Sequence, residues 1–144
     1  MPNMTGHFNG NYTVQTIVAC QDTPDHIMTL AEVHATQSCS DETFNNARHT
    51  GWGTTDLTKG NGHQRGYFVN EHPNGDRDCG TFEGKISTSN GQVVSEGTWR
   101  YTHGTGKFAG ITGNGKFKGH MTSSTQIELS WEGSYQLAAG TRAA

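Results

Sequence analysis

Short segments in which apolar and polar residues alternate recur along the chain, and turn-forming residues separate them. In the last segment every second position from Ile127 to Leu137 is apolar or glycine, and Glu, Ser and Gln occupy the positions between. Alternation with a period of two places successive side chains on opposite faces of a β-strand. The pattern predicts strands at residues 11–20, 26–37, 51–58, 64–72, 79–88, 92–103, 114–122 and 126–137.

Turn chemistry supports these boundaries. The sequence Pro73-Asn74-Gly75-Asp76 predicts a tight hairpin turn between strands 64–72 and 79–88, because proline, asparagine and glycine adopt the backbone angles that such turns need. Around residues 38–50, the sequence Ser-Cys-Ser-Asp-Glu-Thr-Phe predicts the start of a short helix with Ser40 as its N-cap.

The strand predicted at 26–37 differs from the others because both of its faces are largely apolar. One face carries Ile27, Ala31, Val33 and Ala35, and the other carries Met28, Leu30, Glu32 and His34. Strands covered on both sides have this pattern. We therefore expect the core on one side and a neighbouring subunit or loop on the other.

The composition favours one all-β domain over a disordered chain. The 144 residues include 20 glycines and as many threonines, whereas strong helix formers are scarce. A low aliphatic content accompanies disorder when net charge is high, but the net charge here is only −3. We expect residues 1–144 to form a single antiparallel β-barrel, with flexible ends at 1–10 and 138–144.

Charge and hydropathy exclude several classes of function. With a pI near 6.2 and no basic run, the chain has no surface that attracts nucleic acid. The longest apolar run, at 17–20, is too short to cross a membrane. The chain starts at Met1, and its first residues lack the basic region followed by an apolar core that a secretory signal has. The sequence therefore predicts a cytoplasmic protein.

The cysteines give no support to a zinc site, because Cys-x-x-Cys is absent. Free buried thiols are expected in a cytoplasmic chain, and a Cys20–Cys39 disulfide is the alternative.

Residues 104–119 read Gly-Thr-Gly-Lys-Phe-Ala-Gly-Ile-Thr-Gly-Asn-Gly-Lys-Phe-Lys-Gly, a spacing that invites comparison with a phosphate-binding loop. Such a loop needs a helix after it and Ser or Thr after Gly-Lys, and neither follows. The segment is instead expected to end one strand, carry Phe108 and Ile111 inward, and begin a new strand at Gly115.

This segment, together with Gly97-Thr98-Trp99, Trp131-Glu132-Gly133-Ser134-Tyr135 and Asn74-Gly75-Asp76-Arg77, resembles small bacterial barrels of the allene oxide cyclase and dirigent-like superfamily. The similarity covers about residues 64–137 and lies in structural turns, so it specifies fold more than chemistry.

The resemblance implies an all-β, eight-stranded antiparallel barrel of allene oxide cyclase-like or lipocalin-like architecture. It also implies a hydrophobic small molecule in the interior and assembly as a homodimer or homotrimer. Relatives include cofactor-free cyclases, proteins that orient radical coupling and cyclases that catalyse cycloadditions. The catalytic residues of the plant cyclase do not align position by position with this chain, so none is carried over.

Glu32 and His34 are candidates for proton transfer. They lie two positions apart in a strand and therefore share a face with Met28 and Leu30. Inside a barrel, apolar walls would raise the pKa of the Glu32 carboxyl and the imidazole would lower it again, which suits acid–base chemistry near neutral pH. The alternative is that this face meets solvent or a subunit and that both residues are ordinary polar side chains.

Tyr101 and His103 are candidates for donating a hydrogen bond to developing negative charge. They share a face with Trp99, which needs burial, so this face is expected to point inward. The alternative for each is an ordinary hydrogen bond to another core residue. The candidates for the wall of a ligand site are Trp99, Trp131, Tyr135, Met28, Tyr67 and Tyr12.

Histidines are numerous, with 8 in the chain, but no pair has HExxH or Cys/His zinc spacing. No metal site is therefore predicted. If a metal did bind, His34, His103 and a carboxylate on facing strands would be its ligands.

Together these observations predict a cofactor-independent barrel enzyme that acts on a small, mostly apolar organic molecule in its cavity. The reaction would be of the isomerase, cyclase or lyase type, with Glu32 or His34 as base and Tyr101 or His103 as donor. The alternatives are a carrier barrel that binds such a molecule without a reaction and, more distantly, a histidine-based metal-dependent enzyme.

Overall fold

The computed structural model describes residues 3–138, and the expectations for residues 1–2 and 139–144 lie outside these residues. The described chain contains one turn of 3-10 helix at Gly106–Phe108, and none of it forms a helix long and apolar enough to cross a membrane. The strands are β1 (Asn3–Ala19), β2 (His26–Thr36), β3 (Ser38–Cys39), β4 (Arg48–Thr58), β5 (Asn61–Glu71), β6 (Arg77–Ser89), β7 (Gln92–Gly104), β8 (Thr112–Met121) and β9 (Gln126–Gln136).

Eight long strands close into an antiparallel barrel, which confirms the predicted fold class. They follow the order β2-β4-β5-β6-β7-β8-β9-β1, and β1 completes the ring because residues Asn11 to Ala19 pair with β2. The first part of β1, from Asn3 to Asn11, pairs with β9. Closure removes the free edges of the sheet, and the two-residue β3 only adds a short pairing to β1.

β1 begins at Asn3, earlier than the predicted start at residue 11 and within a segment expected to be flexible. Its inward positions, all of them buried, are Met4, Gly6, Phe8 and Gly10. Gly6 lies so close to the Trp131 indole that a Cβ at this position would overlap the ring. The alternation is hidden in the sequence because glycine fills half of the inward positions and the neighbouring strand supplies the large side chain.

One end of the barrel is closed by the connections that follow β2, β5 and β7. Phe44 from the first connection packs against Phe108 from the last, with ring centroids 5.4 Å apart, and against Tyr135 at 4.7 Å. The Tyr135 hydroxyl donates a hydrogen bond to Asp41 Oδ2 at 2.7 Å, and burial raises the pKa of Tyr135 to about 12. The glycine-rich segment carries Phe108 and Ile111 into this end, as predicted.

The short helix predicted around residues 38–50 does not form, and residues 40–46 are turns instead. The Asp41 carboxylate accepts a hydrogen bond from the Thr43 amide at 2.9 Å. Asn46 has a φ of 66°, in the left-handed region that ends a helix. The aspartate side chain therefore captures an amide near the predicted helix start, and Asn46 turns the chain into β4.

The opposite end of the barrel leaves the interior accessible. Ile17 lines the interior and yet is 62% exposed. At this rim, His26 Nδ1 lies 2.7 Å from Asp22 Oδ1, and His26 Nε2 lies 2.6 Å from Asp56 Oδ1. The hydrogen bonds to Asp22 and then to Asp56 raise the pKa of His26. The protonated ring therefore ties the β1–β2 turn to β4.

The outer face of β1, β2, β4 and β5 exposes large apolar side chains. Met28 and Leu30 are about half exposed, and Tyr67 is 65% exposed. This face includes the second apolar face that the sequence predicts for β2. A neighbouring subunit over it stays a prediction.

We predict that Phe108→Ala lowers the free energy of unfolding by roughly 3–5 kcal/mol, because the ring is buried with no exposed surface. The matched control is Tyr67→Ala, which removes a ring from the outer face and should change stability by less than about 0.5 kcal/mol. Urea denaturation followed by tryptophan fluorescence measures both. Equal losses in the two variants would contradict the packing of the closed end.

Candidate functional site

The barrel encloses a cavity of about 440 Å³ between its closed end and its accessible rim. This volume lies within the range of small-molecule sites. The apolar side chains around its middle are those of Val33, Phe68, Phe82, Trp99, Phe117 and Leu129. Near the closed end the lining becomes polar, with Gln37, His49 and Asn70.

A chain of hydrogen bonds runs through this polar end and terminates at a buried carboxylate. Asp78 has no exposed surface, and its Oδ1 accepts a hydrogen bond from Asn70 Nδ2 at 2.8 Å. Asp78 Oδ2 lies 2.6 Å from His72 Nε2. On the other side of the amide, Asn70 Oδ1 lies 3.2 Å from Gln37 Nε2 and 3.0 Å from His49 Nδ1. The carboxylate thus receives donors from two side chains, and one of them connects it to the cavity.

The partners fix the direction of the hydrogen bonds that join Asp78, Asn70 and Gln37. The Asp78 carboxylate only accepts, so Asn70 turns Nδ2 toward it and Oδ1 toward Gln37 and His49. The Trp131 indole only donates, and its Nε1 lies 2.9 Å from Gln37 Oε1, so Gln37 presents its Nε2 to Asn70. His49 Nδ1 lies 3.0 Å from Asn70 Oδ1, an acceptor, and 3.3 Å from Gln37 Nε2, a donor. Because the shorter contact is with the acceptor, we assign the proton to Nδ1. His49 Nε2 is therefore the unprotonated ring nitrogen.

His49 is held between two aromatic rings. It stacks on Phe8 with centroids 4.6 Å apart and lies 6.1 Å from Phe68. Burial disfavours the imidazolium and lowers the pKa of His49 to about 4, although the hydrogen bond with Asn70 opposes the shift. A Cβ on Gly51, the next inward position of β4, would lie 3.2 Å from His49 Nε2. Gly51 and His49 both line the cavity, and because Gly51 has no side chain, no side chain from that position covers Nε2.

Two buried side-chain nitrogens have no hydrogen-bond partner among residues 3–138, and these are His72 Nδ1 and Trp99 Nε1. His72 turns Nε2 toward the Asp78 carboxylate, and its ring stacks on the Phe108 ring with centroids 4.3 Å apart. An unpaired N–H at Trp99 costs about 1–3 kcal/mol of stability.

Four of the residues predicted for the site line the cavity: Tyr12, Trp99, Tyr101 and Trp131. Burial, and then the nearby Asp78 carboxylate, raises the pKa of the Tyr101 hydroxyl well above its usual value. Tyr101 therefore keeps its proton and acts as a donor throughout the physiological range. Tyr135, predicted as a wall residue, lies beyond the cavity in the closed end, where it is bonded to Asp41.

His103 does not join Tyr101 in the cavity, contrary to the predicted shared face. β7 carries a bulge at Thr102, since Tyr101 pairs with Gly80 and His103 pairs with the adjacent Cys79. The extra residue reverses the alternation beyond it. His103 is consequently exposed, and its Nδ1 lies 2.9 Å from the Thr102 hydroxyl.

Glu32 and His34 lie together, but on the outer face of β2. Glu32 accepts hydrogen bonds from His34 Nε2 at 2.9 Å, Trp52 Nε1 at 2.7 Å and the Thr13 hydroxyl at 3.0 Å. These donors, His34 foremost, lower the pKa of the Glu32 carboxyl. Val33, which lies between Glu32 and His34 in the strand, points into the cavity. The pair therefore matches the alternative in which this face meets solvent or a subunit, and it does not reach the cavity.

Met28 and Tyr67, predicted as wall residues, are also exposed on the outside of the barrel. His34 and His103 lie on β2 and β7, which three strands separate in either direction around the barrel. These two histidines therefore share no site. Within residues 3–138, no group of three or more His, Cys, Asp or Glu side chains is placed to hold a metal ion.

The polar end of the cavity consists of residues absent from the predicted site, namely Gln37, His49, Asn70 and Asp78. The sequence does indicate that Asn70 points inward. It lies two positions after the inward Phe68 in the same strand, so its amide is on the core face. His49 precedes the predicted start of its strand, and Gln37 and Asp78 lie at or next to predicted strand ends. Alternation assigns no face at such positions.

We predict that His49→Gln changes how stability depends on pH. The folded pKa of about 4 lies below the unfolded value of 6.5, so the unfolded chain binds the proton first as pH falls. Wild type should therefore lose stability between pH 6.5 and 4, by up to about 1.4 kcal/mol per pH unit, relative to the variant. Urea denaturation across this range measures the difference.

His26→Gln is the matched control because the pKa of His26 is shifted in the opposite direction. The contribution of His26 is complete below pH 6.5 and is lost as pH rises through its raised pKa, so this variant should differ from wild type in slope only above pH 6.5. Parallel curves for wild type and His49→Gln between pH 6.5 and 4 would contradict a buried neutral imidazole.

Comparisons with known proteins support the fold. No family model matches the chain, and no curated protein matches it. The barrel is similar to the solved structure of a pterocarpan synthase dirigent protein, with a TM-score of 0.50 and 15% sequence identity, over 94% of this chain and 87% of that chain. Likeness at this identity establishes the fold alone. The chain is therefore an eight-stranded barrel with a dirigent-like fold, whereas its relation to allene oxide cyclases stays a prediction.

Proposed function

We propose that this protein binds a small, mostly apolar organic molecule inside its barrel and controls how that molecule reacts, without a bound cofactor. The observation that carries the proposal is the cavity of about 440 Å³, whose walls are mostly apolar and whose closed end carries Gln37, His49 and Asn70. Sites of this kind bury most of a ligand and use a few polar groups to fix its orientation. The similarity to a pterocarpan synthase dirigent protein agrees with this role.

The proposed reaction is an isomerisation, a cyclisation or a lyase-type elimination of the bound molecule. A barrel that holds reacting groups in one geometry lowers the entropic part of the barrier. Tyr101 is the proposed donor to negative charge that develops on a ligand oxygen, because its hydroxyl keeps its proton and its ring lines the cavity. Trp99 and Trp131 are the proposed apolar walls. The outer-face pair of Glu32 and His34 has no part in this site.

A carrier without a reaction is the second candidate, because most polar groups at the closed end are already bonded to one another. Gln37 is bonded to Trp131 and Asn70, and Asn70 is bonded to Asp78. Groups held in this way can orient a ligand more readily than they can transform it.

Deuterium exchange into α-tetralone, a neutral bicyclic ketone, distinguishes the two candidates. In such an enzyme, water or buffer takes the proton beside the carbonyl while Tyr101 donates a hydrogen bond to the enolate oxygen, so exchange should run above the buffer rate. Tyr101→Phe should slow that exchange by about 100-fold, while its melting temperature stays close to that of wild type. Proton NMR in heavy water follows the signal. Exchange at the buffer rate with wild type would favour the carrier.

We predict that Ala31→Phe reduces binding of the neutral fluorescent probe N-phenylnaphthylamine by at least about tenfold, because the new ring would fill the cavity. Ala31 lies opposite Gly53 on the inner face. The matched control is Thr54→Phe, which adds the same ring to the exposed side of β4 and should leave the affinity unchanged. Fluorescence titration gives the dissociation constants. Unchanged binding in Ala31→Phe, or equal losses in both variants, would contradict an interior ligand site.

A further inference from the structure

One nitrogen at the polar end of the cavity, His49 Nε2, takes no part in the hydrogen-bond chain. Gln37, Asn70 and Asp78 are engaged with one another or with neighbours, and His49 uses its Nδ1 proton on Asn70. His49 Nε2 keeps its lone pair and lies on the side of the imidazole next to Gly51, which lines the cavity as His49 does. The nitrogen is thus an acceptor that faces the cavity in a fixed direction.

We propose that His49 Nε2 is a hydrogen-bond acceptor subsite that fixes the hydroxyl group of a neutral, otherwise apolar ligand at the closed end of the cavity. The inference rests on the proposed function, because it names the group that orients the ligand there. The rings of Phe8 and Phe68 on either side of the imidazole hold the acceptor in one orientation. An apolar ligand body would then extend along Val33 and Leu129 toward the rim.

The class of ligand follows from the negative charge of the Asp78 carboxylate, which acts on the His49 imidazole through Asn70. The Asp78 carboxylate polarises the Asn70 amide, whose oxygen in turn draws on the His49 Nδ1 proton, so electron density rises on Nε2. The same negative charge opposes an anionic group at this position. His34, the other titratable group that acts on His49, belongs to the outer face. A hydroxyl donor therefore suits the subsite, and a carboxylate does not.

Naphthalene, β-naphthol and β-naphthoate test the proposal, because they share one apolar body and differ in a single group. Dissociation constants are measured at neutral pH by displacement of N-phenylnaphthylamine. The ratio of the naphthalene constant to the β-naphthol constant should be about tenfold larger in wild type than in His49→Phe, which keeps an aromatic ring and removes the acceptor. In wild type, β-naphthoate should bind more weakly than β-naphthol.

Gly51→Ala provides a second variant that leaves the imidazole in place. Its methyl group would lie 3.2 Å from His49 Nε2 and should remove the preference for β-naphthol. The matched control is Gly53→Ala, on the same face of the same strand, whose methyl group would lie 3.3 Å from Phe82 and away from the imidazole. This control should keep the preference.

Nitrogen NMR of the histidine rings supplies a direct readout. His49 Nε2 should resonate as an unprotonated nitrogen in the free protein and move upfield with β-naphthol but not with naphthalene. Naphthalene binding without any preference for the hydroxyl, or a preference that survives in both His49→Phe and Gly51→Ala, overturns this inference alone. Failure of naphthalene itself to bind overturns the proposed function, and the subsite with it.

Discussion

A carboxylate with no exposed surface, that of Asp78, is the constraint on which the closed end of the barrel depends. A buried charge is costly unless donors surround it, and here Asn70 and His72 supply them. Because the carboxylate only accepts, it determines which way the Asn70 amide turns, and through it which nitrogen of His49 carries the proton. One buried charge thereby fixes the chemical character of the cavity several side chains away.

A narrow barrel filled with aromatic rings needs space on neighbouring strands, and glycine provides that space. A Cβ at Gly115 would lie 2.6 Å from the Trp99 ring, and one at Gly133 would lie 2.5 Å from it. In the same way, a Cβ at Gly6 would overlap the Trp131 indole. The abundance of glycine and the scarcity of aliphatic residues are therefore one property of the core, in which large rings pack over bare backbone.

The sequence was sufficient to predict eight strands and a barrel, because period-two alternation depends only on local geometry, but it missed residues 3–10 of β1. It was insufficient wherever a face depended on pairing. The bulge at Thr102 appears only in the register between β6 and β7, and it moves His103 outward. Both faces of β2 are apolar, so composition does not reveal that Val33 points inward and Glu32 outward. The polar end eluded prediction because Gln37 and Asp78 lie where predicted strands end.

Because the barrel is closed at one end, the two ends of a molecule bound inside it would lie in different surroundings. A molecule that enters past the accessible rim near Ile17 would bring its leading part toward His49. Asp22, His26 and Asp56 form a charged cluster at this rim, which the trailing part of a bound molecule would meet. The separation between the His49 imidazole and this charged cluster therefore limits the length of an apolar molecule that fits inside the barrel. A molecule short enough to stay inside would lie against the mostly apolar walls, whereas a longer one would have to present a polar group to the charged cluster at the rim.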